Sequence, residues 1–280
     1  MSRIQQRIAA AFSALVFALP LGFAAQDPQG LPGQSAEVYR RAQAGRWFAE
    51  AAKLRPEIFP TADQQSFVVA WKAPGTHPKH WIVSLHGSRG YATDDLALWY
   101  PTLKDRDLGF LGAQWWIGTD DSARSYYPPL HIYREIDFAL QRLGVLPGTA
   151  MLHGFSRGAT NAYAVAAIDA GQGRRYFSLA VASSGGVATD YPPTQAILAG
   201  SYGVRPLRGT RWITVAGARD PQPDRDGIAA MRRTAAWLEE QGAAVIERIE
   251  DPKEGHGALQ RNVANAQRVL ELFVRGQAPE

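Results

Sequence analysis

The stretch from Thr149 to Gly158, TAMLHGFSRG, constrains the fold more than any other part of the chain. Its apolar run, Ala150 to Leu152, predicts a buried strand. The strand leads into Gly154-Phe-Ser-Arg-Gly158, and an alanine-rich helical segment follows at once. This is the G-x-S-x-G pattern in the setting it requires: strand, sharp turn, helix. The flanking glycines have a steric reason, because so tight a turn brings strand and helix backbones together and leaves no room for a Cβ. The turn lifts the Ser156 hydroxyl above the sheet edge. In a chain with 27 glycines the five residues alone are weak support, since a glycine-rich turn with a capping serine has the same spelling.

The segments around this stretch alternate in kind. Helical spacing is expected over Ala36–Leu54, Asp94–Leu103, His131–Leu143, Ala159–Ala170, Met231–Gln241 and Ala258–Val274. Short apolar runs predict strands at Gln65–Trp71, Trp81–Leu85, Gly109–Ile117, Phe177–Ala182, Trp212–Ala216 and Ala243–Ile249. Strands alternating with helices imply an α/β domain, a mainly parallel sheet with helices on both faces. Ligands then bind beyond the carboxyl ends of the strands, so functional residues should follow strands. The one long irregular stretch, Ser184–Thr210, reads as a loop or small cap.

A chain of 280 residues, 46% hydrophobic and 20% charged, suffices for one large domain, expected over residues 36–280. The net charge is only +4 and the basic residues are scattered, so no nucleic-acid partner is expected. With no cysteine, disulfides, thiolate metal sites and a cysteine nucleophile are excluded. Arg3 and Arg7 precede a nearly unbroken apolar run, Ile8 to Phe23, and small residues follow at Ala24 and Ala25. Residues 1–25 therefore read as a cleaved signal peptide and residues 26–35 as a flexible leader, which predicts a secreted or periplasmic protein without stable membrane insertion. An uncleaved anchor is the competing reading.

A serine hydroxyl is a poor nucleophile until a base takes its proton, and the base needs a carboxylate to hold its tautomer. Of the six histidines, His77 and His80 precede a strand, His131 opens a helix, His153 lies within the strand before the serine turn and His86 lies in a strand-ending turn. His256 remains, after the last strand and before the last helix. Asp220 follows the strand Trp212–Ala216 and a glycine turn. Asp224 and Asp226 are alternative acids that would also serve as helix caps, and Asp251 shares the loop of His256. An oxyanion needs two backbone donors. The N–H groups of Ser88, after His86-Gly87, and of Arg157, after the serine, are the candidates. Trp115, Trp116, Tyr126 and Tyr127 are candidates to line the substrate pocket, with core packing as their competing role. Arg89 and Arg157 would favour an anionic substrate or pair with surface acids.

Ser156, Asp220 and His256 in this order, with a His-Gly turn after an early strand, resemble the α/β-hydrolase superfamily over roughly Ser66 to Val274. The build is similar to secreted esterases of the polyhydroxyalkanoate-depolymerase and feruloyl-esterase kind, although those often carry disulfides. Serine at the elbow, rather than aspartate or cysteine, separates the chain from the dehalogenase and dienelactone-hydrolase branches. The resemblance implies an eight-stranded, mostly parallel sheet and hydrolysis of a small-molecule or polymer ester through an acyl-enzyme, with no metal or other cofactor. A peptidase or amidase using the same triad, and a binding protein on a hydrolase scaffold, are the rival readings.

Overall fold

The computed structural model describes residues 30–171 and 173–276; the predicted signal peptide (1–25) and the first part of the predicted leader (26–29) lie outside the described residues. The chain begins with helices α1 (Gly33–Ala42) and α2 (Phe48–Lys53), then strands β1 (Glu57–Pro60), β2 (Phe67–Trp71) and β3 (His80–Leu85). Helix α3 (Ala92–Leu103), strand β4 (Leu108–Ala113), helix α4 (Pro129–Arg142), strand β5 (Ala150–Phe155) and helix α5 (Arg157–Gly171) follow. The last part runs β6 (Phe177–Ser183), α6 (Pro192–Leu198), β7 (Arg211–Gly217), α7 (Ile228–Glu240), β8 (Ala244–Asp251), α8 (Ala258–Arg261) and α9 (Val263–Arg275).

These strands form one eight-stranded sheet in the order β1-β2-β4-β3-β5-β6-β7-β8. Strand β2 is antiparallel to both its neighbours, and pairing is parallel from β4 through β8. In the middle, Val83 pairs with Leu111 on one side and Leu152 on the other. The two-residue period of a strand sends alternate side chains to two cores. Val83, Leu85 and Leu152 pack with α4 and α5 through Ile132, Ile136 and Tyr163. Ile82, Met151 and Ile213 pack on the other face with α1, α3 and α9 through Val38, Trp99 and Phe273. Both faces are covered, which is why β3 to β7 read as nearly continuous apolar runs.

Four local expectations are revised. The single helix predicted over Ala36–Leu54 is broken between α1 and α2, where the Asp94 carboxylate accepts the Trp47 N–H at 3.0 Å and bends the chain. The closing helix is likewise two, because Asn262 leaves helical geometry to cap α9, accepting the Ala264 N–H at 3.0 Å. Strand β4 ends at Ala113 rather than Ile117. Beyond it the buried Gln114 diverts the chain by accepting the Ala92 N–H and donating to the Trp116 carbonyl. The stretch Ser184–Thr210 contains helix α6, opened by Pro192 at its first position. Strand β1 escapes periodicity because it has four residues and ends in proline, a pattern that an edge strand tolerates. Helix α1 starts at Gly33, inside the predicted leader, and the Ser35 hydroxyl is tied to the Gln64 and Ser66 carbonyls.

Candidate active site

The turn between β5 and α5 is strained. Ser156 has φ +53°, a left-handed value that a non-glycine residue holds only when its surroundings impose it. The neighbouring glycines are there for space. A Cβ at Gly154 would lie 2.5 Å from the Gly158 carbonyl oxygen, and one at Gly158 would lie 2.0 Å from that of Leu85. The second contact packs the start of α5 directly on the end of β3, so the serine turn and the His86-Gly87 turn are held side by side.

The loops after β7 and β8 bring in the other two side chains. A Cβ at Gly217 would lie 2.3 Å from the Glu254 carbonyl oxygen, so only glycine lets the two loops meet. Two bonds fasten them: Ala218 N–H to the Asp251 carbonyl at 2.8 Å, and Arg219 N–H to that of Glu254 at 2.9 Å. His256 Nε2 then stands 3.0 Å from Ser156 Oγ, and His256 Nδ1 stands 2.8 Å from Asp220 Oδ2. The Asp220 side chain is fully buried and its other oxygen accepts the Gln222 N–H, while the His256 side chain keeps 27% exposure. The Phe155 ring, 5.1 Å away centroid to centroid, packs against the imidazole.

None of the alternative acids makes this hydrogen bond. Asp226 Oδ2 is 4.0 Å from His256 Nδ1 and is engaged by Arg225 at 2.7 Å. Asp224 is exposed. Asp251 accepts the Lys253 and Glu254 N–H groups and both Asn262 and Asn265 side-chain amides, and so braces the loop carrying His256.

Ser88 and Arg157 flank Ser156, and neither N–H has an acceptor among the described residues. A Cβ on Gly87 would be 3.4 Å from that of Ser156, which measures how closely the His86-Gly87 loop approaches the serine. His86 holds this loop. Its Nδ1 bonds the Gly87 carbonyl at 2.8 Å, while its Nε2 accepts the Trp115 N–H at 3.4 Å, an arrangement that needs the Nδ1-protonated, neutral ring. Burial favours that state by pushing the His86 pKa down to about 4.

The four aromatic residues proposed for the pocket do not line it. Trp115 is wholly buried and stacks on His86, with ring centroids 5.2 Å apart. Trp116 packs against Tyr91 and Tyr126. Tyr127 donates to Asp63 and stacks on His131. Tyr126 is the nearest to a role: its hydroxyl accepts the Arg89 N–H at 3.0 Å and donates to Asp121, and the Arg157 guanidinium lies over its ring. All four are buried in the core that packs behind the cleft wall. Arg157 itself pairs with Asp121 at 2.8 Å.

The space above Ser156 is a cleft of about 740 Å³. Its walls include Trp47 from the α1–α2 turn and residues that periodicity did not single out: Arg46 from the same turn, Tyr91 and Leu98, and Gln260 and Arg261 after His256. Two clusters have imidazole and carboxylate atoms within 4.8 Å of one another, Asp220/Asp226/His256 and Asp63/His131/Glu135. The second ties the β1–β2 turn to α4, with His131 Nε2 2.9 Å from Asp63 and 3.3 Å from Glu135. No helix among the described residues is long and apolar enough to cross a membrane.

This sheet order, with a strained serine turn between β5 and α5, defines the α/β-hydrolase fold. Solved structures agree. A phospholipase/carboxylesterase from Dyadobacter fermentans superposes with a TM-score of 0.53 at 19% identity, covering 74% of this chain and 95% of its own. An esterase/lipase from an uncultured bacterium gives 0.61 at 15% identity over 89% and 93%. A hyperthermophilic esterase from Pyrobaculum calidifontis gives 0.57 at 11% identity over 88% and 93%. No family model matches the sequence, and no curated protein matches it.

Proposed function

We propose that this chain is a serine hydrolase that cleaves carboxylic esters through an acyl-enzyme. The observation that carries the proposal is the continuous chain Ser156 Oγ, His256, Asp220, with links of 3.0 and 2.8 Å, at the carboxyl edge of the sheet and open to the cleft. In the first half-reaction His256 Nε2 takes the hydroxyl proton as Oγ attacks the carbonyl carbon. The Ser88 and Arg157 N–H groups hold the oxyanion. His256 returns the proton to the leaving alkoxide, and the alcohol departs. Water, deprotonated by the same imidazole, then releases the acid and restores the serine. Asp220 orients the ring and stabilises its charged form. Ester rather than amide cleavage is favoured by the esterase names of the solved structures that share the fold.

A fluorophosphonate probe tests this directly. Labelling at Ser156, hydrolysis of short p-nitrophenyl esters, and loss of both in Ser156→Ala are expected; a folded protein that takes up no probe would overturn the proposal. We further propose export of the mature chain after removal of residues 1–25, on the basis of the basic and apolar pattern of Arg3 to Phe23. N-terminal sequencing of the exported fraction should begin near Ala25 or Gln26.

A further inference from the structure

The charges lining the cleft do not cancel in space. Three aspartates face it, and each is occupied. Asp121 takes Arg157 and the Tyr126 hydroxyl. Asp94 accepts the Trp47 N–H. Asp95 is fully buried against Ser84, where burial raises its carboxyl to a pKa of about 7. Of the three lining arginines, Arg225 is committed to Asp226. Arg46 and Arg261 form no ion pair with any described residue. Arg46 lies over the Trp47 indole, 5.1 Å from its centroid. Arg261 folds back beside the triad histidine, since a Cβ on Gly257 would sit 2.8 Å from its Nε. Next to it in the wall, the Gln260 side-chain Nε2 is buried and has no acceptor.

Two guanidiniums without an ion pair therefore line one cleft with Ser156, and the wall beside Arg261 holds the buried, orphaned Gln260 amide. A buried donor without an acceptor costs free energy, and guanidinium groups match carboxylate oxygens in pairs. We propose that the substrate is an anionic ester, one whose acyl or alcohol part carries a carboxylate that Arg46 and Arg261 receive while the scissile carbonyl sits at Ser156. The inference rests on the ester-hydrolase reading above. The attraction is between partly exposed charges, so it weakens as salt rises.

Two matched substrate pairs test it on the full chain: 4-nitrophenyl hydrogen suberate against 4-nitrophenyl octanoate, and 4-acetoxybenzoate against 4-acetoxybenzamide. In one pair the anionic member should have kcat/KM higher by about tenfold, mainly through a lower KM, and the ratio should shrink between low and high salt. In Arg46→Gln and Arg261→Gln the ratio should fall, and in the double variant it should approach one, with an unfolding midpoint confirming a folded protein. If neutral members are hydrolysed as well as anionic ones, the anionic subsite is overturned while the esterase stands. A ratio that persists in the double variant overturns the assignment to these arginines. Hydrolysis of no member overturns both readings.

Discussion

Asp220 and Asp226 are both buried near His256, and what separates them is little more than an ångström. At 2.8 Å Asp220 makes a hydrogen bond to the imidazole, whereas at 4.0 Å Asp226 supplies only a field that Arg225 already offsets. A hydrogen bond fixes a tautomer; a distant charge does not. Asp220→Asn should therefore lower kcat by about 10⁴-fold, the loss expected when the ring is held in the wrong tautomer. Asp226→Asn should cost less than about tenfold. Steady-state kinetics on one ester with both variants decides it, and a comparable collapse in Asp226→Asn would reassign the acid.

The unit of β5, turn and α5 is a packing device as well as a chemical one. Gly158 packs directly on the end of β3, because an added methyl would lie 2.0 Å from the Leu85 carbonyl oxygen and 2.7 Å from that of His86. Both atoms belong to backbone inside or next to the sheet, so neither can give way locally. Gly158→Ala should destabilise the fold by about 3 kcal/mol or more, read as a shift of the urea midpoint. Whatever folded protein remains should also lose turnover, since relief of the clash moves the loop that presents the Ser88 N–H.

Across the whole molecule, three buried titratable groups set opposing trends of stability with pH. His86 and His153 are held neutral by burial, with pKa values of about 4 and about 3 against an ordinary 6.5. Their contribution is intact above about 6.5, and it is lost as pH falls through those folded values, because the unfolded chain takes up protons first. Asp95 runs the other way. Its pKa is raised from 3.8 to about 7, so its contribution is full below about 3.8 and is lost as pH rises through about 7. Asp95→Asn removes that loss while an amide can still bond Ser84. Between pH 5 and pH 8 the variant should gain on the wild type by on the order of 2 kcal/mol. Urea titrations at the two pH values measure the difference, and a gap that does not change with pH would refute the assignment.

Most of the frame is legible along the chain because it depends on neighbours in sequence. A Cβ that cannot fit between strand and helix specifies Gly154 and Gly158, and strands covered on both faces spell out apolar runs such as Trp81–Leu85. Ser156, Asp220 and His256 are singled out as candidates for the same reason, as residues in the turn and loops that follow strands. Elements whose form depends on a distant partner were not legible: α1 and α2 separate only because Asp94 captures Trp47, and β1 is a strand only because β2 lies beside it. The fate of the aromatic residues follows this rule. Trp115 and Tyr126 look like pocket residues by position, but packing against His86, Arg89 and Arg157 turns them inward. Arg46 and Arg261 carry no local mark and come to line the same cleft as Ser156 only after folding. Backbone sterics and burial are properties of consecutive residues, whereas the lining of a cleft is decided by which loops the tertiary packing brings together.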